Sequence, residues 1–347
     1  MGLVVDQGQL RGGALTVAVA IVGAIVAQAA AFPAAMLTGP ALFTSLAGLA
    51  GLPLRFPPLM RDSAFLALGV GIGTTMSVEA TESILRWPLA FFALGVVLAI
   101  NMAVGVLILR RWFRFDGQSA VLASAPGRLS FVLSLGLSMD RDVVKVTLVQ
   151  SVRLLALTLL VPVIARLMGV EVQGLSAGGP RLDWLSLAVL ILISWGVGQG
   201  LSRCKVPAAL VIGAMGVTAV SHGLGWTSGS LPPWLGDAAF AALGALIGTR
   251  FTGLQFGDVA RILGAAAAVI IVACLVTLGM ALPVAAYLGM PVTTVLAAFA
   301  PGGAETMIAL GAVLAANPSF VAASHVVRLF ILTFLIPLFL RFAPKRK

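Results

Sequence analysis

Runs of apolar residues, separated by short polar stretches, fill almost the whole sequence. A helix of about 20 apolar residues is long enough to cross the hydrocarbon core of a membrane. The pattern therefore predicts an all-α integral membrane protein. Its twelve apolar segments lie near 14–31, 33–49, 62–80, 87–109, 118–138, 143–165, 184–201, 206–222, 237–249, 262–288, 291–315 and 319–340.

The sequence contains an internal repeat with an offset of 175 residues. Ala125-Pro126-Gly127 matches Ala300-Pro301-Gly302, and Arg153 matches Arg328. One offset that holds over about a hundred residues indicates two halves of the same design. We therefore predict two repeats joined by a polar, Gly-rich linker: a first membrane repeat at 1–169, the linker at 170–183 and a second membrane repeat at 184–347.

The first apolar segment has two interpretations. Arg11, the apolar run after it and Ala27-Gln28-Ala29 resemble a cleavable signal peptide. The segment also has a counterpart in the second repeat, at 184–201. For that reason we interpret it as the first membrane helix.

The distribution of Lys and Arg predicts how the segments cross the membrane, because basic residues concentrate on the cytoplasmic side. Three arginines inside apolar segments are set aside. If all twelve segments cross, seven of the other basic residues lie outside the cell, whereas only Arg86, Arg166 and Arg181 do so if each fifth segment is a re-entrant hairpin. The second arrangement gives five crossing helices per repeat, inverted repeats, and cytoplasmic N- and C-termini in a bacterial inner membrane. A broken fifth helix that crosses, with another segment that does not, gives the same inversion.

The fifth segment of each repeat contains a Pro-Gly break, at Pro126-Gly127 and at Pro301-Gly302-Gly303. Proline lacks a backbone donor and glycine relaxes the backbone, so one helix is expected to end there and another to begin. The freed carbonyls and amides require protein partners, water or a ligand, because lipid does not satisfy them. A packed helix kink is the alternative. Two breaks at equivalent positions favour a binding site, as in inverted-repeat transporters.

Ionisable residues within apolar segments point to the same two regions, because a charge inside a membrane is costly. Gln150 and Arg153 are three residues apart and share a helix face, and His325 and Arg328 repeat that spacing. Glu305 either forms a fixed ion pair with an arginine, or the arginines receive an anionic substrate while Glu305 or His325 carries a coupling proton. The candidate substrate- or ion-binding residues are Pro126, Gly127, Arg128, Ser130, Gln150, Arg153, Pro301, Gly302, Gly303, Glu305, His325 and Arg328.

Other small or polar residues are interpreted as packing. Gly69 and Gly73, like Gly244 and Gly248, have a small-xxx-small spacing that lets membrane helices approach closely. Asn101 in the fourth segment matches Val276 at the same offset, so the repeat gives it no shared role.

The composition excludes several functions. Of the 347 residues, 60% are hydrophobic and 10% are charged, against roughly 25% charged in a soluble domain, so a soluble enzyme is excluded. The net charge of +10 comes from basic residues scattered between apolar runs, which is typical of topology signals and not of a nucleic-acid surface. Two histidines and two cysteines without ligand spacing predict no metal and no cofactor. No catalytic residues are predicted, and we expect a protein that is not an enzyme.

The repeated motifs resemble those of the bacterial AbrB-type membrane protein family. The resemblance covers nearly the whole chain and implies a relation to the cation–proton antiporter and anion transporter superfamily. Members are labelled as AbrB regulators and as ammonia monooxygenases, and the second label finds no support in two distant histidines. Arg128 departs from the Gly that the family has at this position, so the two sites are expected to differ. The matching residues are Pro33, Gly39, Pro207, Gly213, Gly244–Thr249, Ala300–Glu305 and Arg328.

These observations lead us to expect a secondary transporter of a small anionic solute that works by alternating access, with proton coupling as an option. The expected partners are the lipid bilayer and a small solute or ion. Nucleic acid is not expected, and a homo-oligomer is compatible with the sequence. The alternative is a membrane-embedded regulator of gene expression that acts through a ligand or a partner. Solute flux in liposomes would separate the two.

Overall fold

The structure is a computed structural model that describes residues 7–75, 87–126, 143–167, 169, 180–314 and 316–343. Within these ranges the chain forms helices and no strand, which confirms the all-α prediction. The helices are α1 (Gln7–Ala29), α2 (Ala35–Leu49), α3 (Pro58–Gly73), α4 (Trp87–Arg111), α5 (Gly117–Ser124), α6 (Val143–Leu167), α7 (Trp184–Arg203), α8 (Ala209–Gly223), α9 (Pro233–Gly248), α10 (Phe256–Leu288), α11 (Val292–Phe299), α12 (Ala304–Val313) and α13 (Pro318–Phe342).

Six of these helices are long and apolar enough to cross a membrane, namely α1, α4, α6, α7, α10 and α13. They fit the predicted membrane protein. Helix bounds also recur along the chain: α3, α5 and α6 reappear as α9, α11 and α13 at an offset of 175 residues. The direction in which each half crosses the membrane stays a prediction, as does the re-entrant geometry.

Several helices begin where their local sequence provides a start signal. The third segments were predicted to begin at 62 and 237, yet α3 and α9 begin one turn earlier, at Pro58 and Pro233. Proline suits the first helical position because its missing N–H would have no intrahelical partner there. At the start of α7, the Asp183 carboxylate accepts a hydrogen bond from the Ser186 amide at 2.9 Å, a typical N-cap. This bond lowers the pKa of the Asp183 carboxyl.

The chain folds into two compact units. Unit 1 comprises residues 1–80, 158–256 and 312–318, with α1–α3 and α7–α9; unit 2 comprises residues 81–157, 257–311 and 319–347, with α4, α5, α10–α13 and most of α6. Each unit therefore combines helices from both halves of the sequence. The division into two repeats and a linker stays a prediction about the sequence, and of that linker only 180–183 lies within the larger described ranges.

Unit 1 is held together by close glycine contacts between the halves. A Cβ at Gly69 in α3 would lie 2.5 Å from the Val211 carbonyl oxygen of α8. The equivalent Cβ at Gly244 in α9 would overlap the Leu37 carbonyl oxygen of α2. One turn further along, Gly73 and Gly248 lie in the same way against two equivalent threonines, Thr218 and Thr44. The predicted small-xxx-small faces thus allow two helix pairs, α3 with α8 and α2 with α9, to pack at backbone distance.

The backbone before α2 and α8 repeats an uncommon conformation. Ala34 and Ala208, each preceded by a proline, have φ values of 51° and 50° and lie in the left-handed region. A residue with a Cβ pays about 1–2 kcal/mol for that conformation. The same strain at two equivalent positions shows that the surrounding packing fixes both turns in the same way.

Candidate functional site

Two short helices of unit 2, α5 and α11, end immediately before Ala-Pro sequences. Asp116 caps the start of α5 by accepting a hydrogen bond from the Ser119 amide at 3.0 Å. After α5, Ala125 is extended, with φ −63° and ψ 119°, and Ala300 is extended after α11, with φ −56° and ψ 135°. The residue before a proline is disfavoured in a helix, which explains both ends. The last carbonyls of each helix therefore need donors from elsewhere.

Helix α6 supplies donors for the end of α5. Gln150 Nε2 donates to the Leu122 carbonyl oxygen at 3.0 Å, and Arg153 Nη2 donates to the Ala125 carbonyl oxygen at 3.2 Å. Both side chains are buried. Their three-residue spacing places them on one face of α6, as predicted. We call the end of α5 with Gln150 and Arg153 the first corner.

Helix α13 supplies equivalent donors for the end of α11. His325 Nε2 lies 3.3 Å from the Ala297 carbonyl oxygen, and because a carbonyl only accepts, the imidazole is the donor. Arg328 Nη2 donates to the Ala298 carbonyl oxygen at 2.9 Å, and its Nη1 donates to the Gly302 carbonyl oxygen at 3.3 Å. This guanidinium therefore contacts both the helix end and the loop before α12. We call the end of α11 with His325 and Arg328 the second corner.

The two arginines are deeply buried, and the part of the chain that the structure describes gives them no acidic partner. Arg153 is 4% exposed and Arg328 is 1% exposed, and their guanidinium groups lie close enough to repel each other. Neither forms an ion pair with a carboxylate in the described residues, and Arg328 Nε has no hydrogen-bond partner. The ends of α5 and α11 each contribute roughly half a negative charge. These four groups together leave an excess of about one positive charge, before the charge of Glu305 is counted.

Glu305 lies in the first turn of α12, where the helix dipole favours a negative charge. A Cβ at Gly303 would lie 3.8 Å from Oε2 of Glu305, an ordinary contact distance, so the carboxylate lies beside the break. Glu305 is half-buried. It forms no ion pair with Arg153 or Arg328, so the fixed ion pair considered from the sequence is not formed with either arginine.

The other predicted site residues lie in or beside the breaks. Pro126 follows α5, and Pro301, Gly302 and Gly303 form the non-helical stretch between α11 and α12. Pro126, Pro301 and Gly302 are buried. The structure therefore brings nine of the twelve candidates into unit 2 around two helix ends. The remaining three, Gly127, Arg128 and Ser130, lie outside the described residues.

Buried polar atoms without hydrogen-bond partners collect along α4 and α5, a feature that the sequence did not single out. Asn101 is 6% exposed, and within the described chain neither its Oδ1 nor its Nδ2 has a partner. The same holds for Gln118 Oε1, Ser119 Oγ and Ser124 Oγ of α5. Gly105 lies one turn after Asn101 on the same face of α4, and a Cβ there would stand 2.8 Å from Ser124 Oγ. We call these four polar residues the α4–α5 seam.

The pattern of buried residues along α4 and α10 gives Asn101 a different equivalent in the second half from the one that sequence matching gave. At an offset of 176 residues, Asn101 corresponds to Thr277 and not to Val276. Thr277 is 2% exposed, and its Oγ1 also lacks a partner in the described residues. Burial along the helix, which sequence matching did not use, is the signal that reveals the shift. The buried residues that recur at this offset are Ala90, Ala93, Leu94, Val97, Gly105, Ile108 and Leu109 in α4 and Ala266, Val269, Ile270, Ala273, Ala281, Val284 and Ala285 in α10.

Unit 1 contains a groove of about 720 Å³ between α7 and α8. Its lining is mainly apolar and includes Val189, Ile193, Val220 and Trp226. None of the predicted site residues lines it. Such a surface suits lipid chains better than an anionic solute. In the described part of the chain, no group of three or more His, Cys, Asp or Glu residues is arranged to hold a metal ion.

Comparison with known proteins gives a family match over most of the chain. Residues 36–343 match the family model described as Transition state regulatory protein AbrB. The chain is 27% identical over 300 residues to "Uncharacterized protein YhjN" of Bacillus subtilis (strain 168), covering 80% of this chain and 76% of that protein. It is 26% identical over 326 residues to "Putative regulator AbrB" of Escherichia coli (strain K12), covering 90% and 92%. No solved structure matches the chain significantly.

Proposed function

The chain belongs to the AbrB family, and from that premise we propose that it is an inner-membrane secondary transporter of a small anionic solute. The observation that carries the proposal is the pair of buried arginines, Arg153 and Arg328, which repel each other and have no acidic partner among the described residues. A buried charge without a partner costs several kcal/mol, so an arrangement of two such charges calls for a ligand of opposite sign. The excess of about one positive charge suits a singly charged anion.

The proposed architecture is that of inverted repeats with re-entrant fifth segments and cytoplasmic termini. The sequence duplication and the recurring helix bounds support it. Helices that end within the membrane provide backbone groups for a solute near its midplane. Alternating access requires parts that move as bodies, and a chain with two compact units meets that requirement.

Glu305 is the proposed carrier of the coupling proton. It is half-buried and unpaired with either arginine, whereas His325 is buried and already donates to the Ala297 carbonyl. When Glu305 is ionised, its negative charge offsets the excess positive charge of the site. When Glu305 is protonated, that charge is free to attract an anion. Anion and proton therefore bind together in this scheme.

The competing explanation of the arginines is purely structural. Both donate to carbonyls at helix ends, and capping alone would account for their positions. Thermal unfolding of the detergent-purified protein separates the two explanations. A ligand at a hundred times its Kd adds about 2.7 kcal/mol to the stability of the folded state. We expect small monovalent carboxylates or inorganic anions, and not matched cations, to raise the unfolding temperature of the wild-type protein.

Variants locate the binding site in this experiment. Arg328→Gln is expected to abolish the stabilisation by anions. Arg341→Gln is the matched control, because Arg341 lies on the same helix, α13, and is exposed at its end. A wild-type protein that no anion stabilises, or a stabilisation that survives in Arg328→Gln, contradicts the proposal and leaves capping as the role of the arginines.

A second function is favoured by the name of the Escherichia coli relative, which describes it as a regulator. A membrane-embedded regulator of gene expression could use the same site to sense an anion without moving it. Anion binding in detergent combined with no flux in liposomes is the result that distinguishes this function from transport.

A further inference from the structure

The α4–α5 seam adds a second kind of chemistry to the first corner. Asn101 presents a donating amide nitrogen and an accepting amide oxygen, and Ser124 presents a hydroxyl, all buried and without partners in the described residues. Buried polar groups in folded proteins are almost always hydrogen-bonded, so each exception requires an explanation. Four such residues on two adjoining helices are more than a single packing defect.

The seam lies beside the anion-binding group of the first corner. Ser124 immediately precedes Ala125, whose carbonyl accepts the hydrogen bond from Arg153. Gly105 brings α4 against Ser124, and Asn101 lies one turn from Gly105 on the same face. A ligand group held near Arg153 would therefore lie beside Ser124, and Asn101 is one turn along α4 from the glycine that contacts Ser124.

The helices α10 and α11 at the second corner have fewer such groups, although Ser324 Oγ on α13 is also buried without a partner in the described residues. Phe299 occupies the place of Ser124 at the end of α11, and no polar side-chain atom of α11 is buried without a partner. Ala281 stands where α4 has Gly105. Thr277, the counterpart of Asn101, offers a single hydroxyl. Within the described residues, buried polar atoms without partners are therefore more numerous on α4 and α5 than on their counterparts α10 and α11, which carry only Thr277 Oγ1.

We propose that Asn101 and Ser124 form a subsite for a hydroxyl group of the solute, next to the carboxylate that the arginines attract. A hydroxyl both donates and accepts, so it matches Asn101 Oδ1 and Nδ2 together. The solute class is then a small monovalent hydroxycarboxylate. This inference rests on the proposed function, since it names the substrate class of the same site. A water molecule in the seam would satisfy the same atoms and gives a different result below.

The test compares matched acids in the detergent-purified full-length protein. Calorimetric titration gives Kd values for lactate against propionate and for 3-hydroxybutyrate against butyrate. We expect at least one hydroxylated acid to bind roughly tenfold or more tightly than its partner, which is what one hydrogen bond in a buried site supplies. Asn101→Leu and Ser124→Ala are each expected to reduce that preference severalfold and to leave binding of the unhydroxylated acid nearly unchanged.

A control variant and a measurement of stability without ligand show whether the substitutions act through the subsite. Thr277→Val removes the unpartnered hydroxyl at the position of α10 that is equivalent to Asn101, and it is expected to leave the preference unchanged. Asn101→Leu is expected to raise the unfolding temperature of the unliganded protein, because it removes buried groups that lack partners. If that variant does not fold, Ser124→Ala alone carries the comparison.

Each remaining outcome contradicts the inference. Equal Kd values for hydroxylated and unhydroxylated acids indicate that the seam holds only water. Binding of other anions, with no binding of these acids, rejects the hydroxycarboxylate class and leaves the proposed function intact. If no anion binds at all, the proposed function fails together with the subsite.

Discussion

The sequence duplication is preserved in backbone contacts in unit 1, whereas in unit 2 the equivalent side chains differ. In unit 1, Gly69 and Gly244 approach equivalent carbonyls, and Ala34 and Ala208 share one strained conformation. In unit 2, the two corners share their backbone plan but differ in side chains, so that Gln150 corresponds to His325. The comparison teaches that backbone contact constrains both halves alike, whereas the side chains that cap the two helix ends have diverged.

The divergence lies in the number and type of donors at each corner. To carbonyls of the described residues, Arg153 donates one hydrogen bond and Arg328 donates two. The first corner adjoins the α4–α5 seam, and the second adjoins Glu305. We therefore expect equivalent substitutions to have equal effects in unit 1 and unequal effects in unit 2.

The largest effect is expected for Gly69→Leu and Gly244→Leu, which would force side chains into backbone atoms of α8 and α2. Each is expected to lower the free energy of unfolding by about 3 kcal/mol or more, and both by a similar amount. Thermal unfolding in detergent measures this. Gly216→Leu on α8 is the control, since a Cβ at Gly216 meets nothing within 4 Å. Clearly different losses for the two variants would contradict the equivalence of the halves.

The next effect distinguishes the two corners. Arg328→Ala removes two hydrogen bonds to carbonyls and Arg153→Ala removes one. A hydrogen bond to a charged group contributes about 1.5–3 kcal/mol, so Arg328→Ala is expected to destabilise the protein by roughly twice as much. Chemical or thermal unfolding of the two variants, side by side, measures the difference. Equal losses, or a larger loss for Arg153→Ala, would show that the corners are energetically alike.

A smaller effect concerns the pH dependence of anion binding. Because protonation of Glu305 removes a negative charge from the site, lowering the pH is expected to tighten anion binding, by up to about tenfold per pH unit for one coupled proton. Glu305→Gln is expected to bind with an affinity that is nearly independent of pH. Calorimetric titration at several pH values measures both proteins.

His325→Gln is the control for that measurement. Glutamine is expected to donate to the Ala297 carbonyl as Gln150 does to Leu122, so the corner is preserved without an ionisable group. The variant is expected to keep the pH dependence of the wild-type protein. If His325→Gln loses that dependence and Glu305→Gln keeps it, His325 is the proton carrier.

The smallest effect is expected for Ala34→Gly and Ala208→Gly. Glycine adopts the left-handed conformation without the penalty of a Cβ, although it loses more entropy on folding. Each substitution is expected to stabilise unit 1 by about 0.5 kcal/mol, equally in both halves. A precise comparison of unfolding temperatures tests this, and destabilisation by either variant would contradict the account of the two turns.

Much of this architecture could be predicted from the sequence. Apolar runs predicted the long helices. The prolines repeated in both fifth segments predicted that a helix would end near each of them. The spacing of Gln150 and Arg153 predicted a shared face. These features are local, and they depend on helix periodicity and on the missing amide of proline.

The rest required packing. That Arg153 and Arg328 donate to carbonyls depends on how α6 and α13 lie against α5 and α11, which no spacing reveals. The equivalence of Asn101 and Thr277 in the two repeats was missed, because a fixed offset of 175 residues ignores a one-residue shift between α4 and α10. The starts of α3 and α9 were placed too late because Pro58 and Pro233 were not interpreted as first helical residues.

Flux of an anion through the purified protein tests the central claim most directly. Proteoliposomes would be loaded at neutral pH and placed in a more acidic medium with the anion that most stabilises the protein. The account predicts uptake by the wild-type protein and by Arg341→Gln, and no uptake by Arg328→Gln. An anion that binds in detergent but never crosses the membrane in wild-type proteoliposomes would contradict transport and identify the two corners as a sensor.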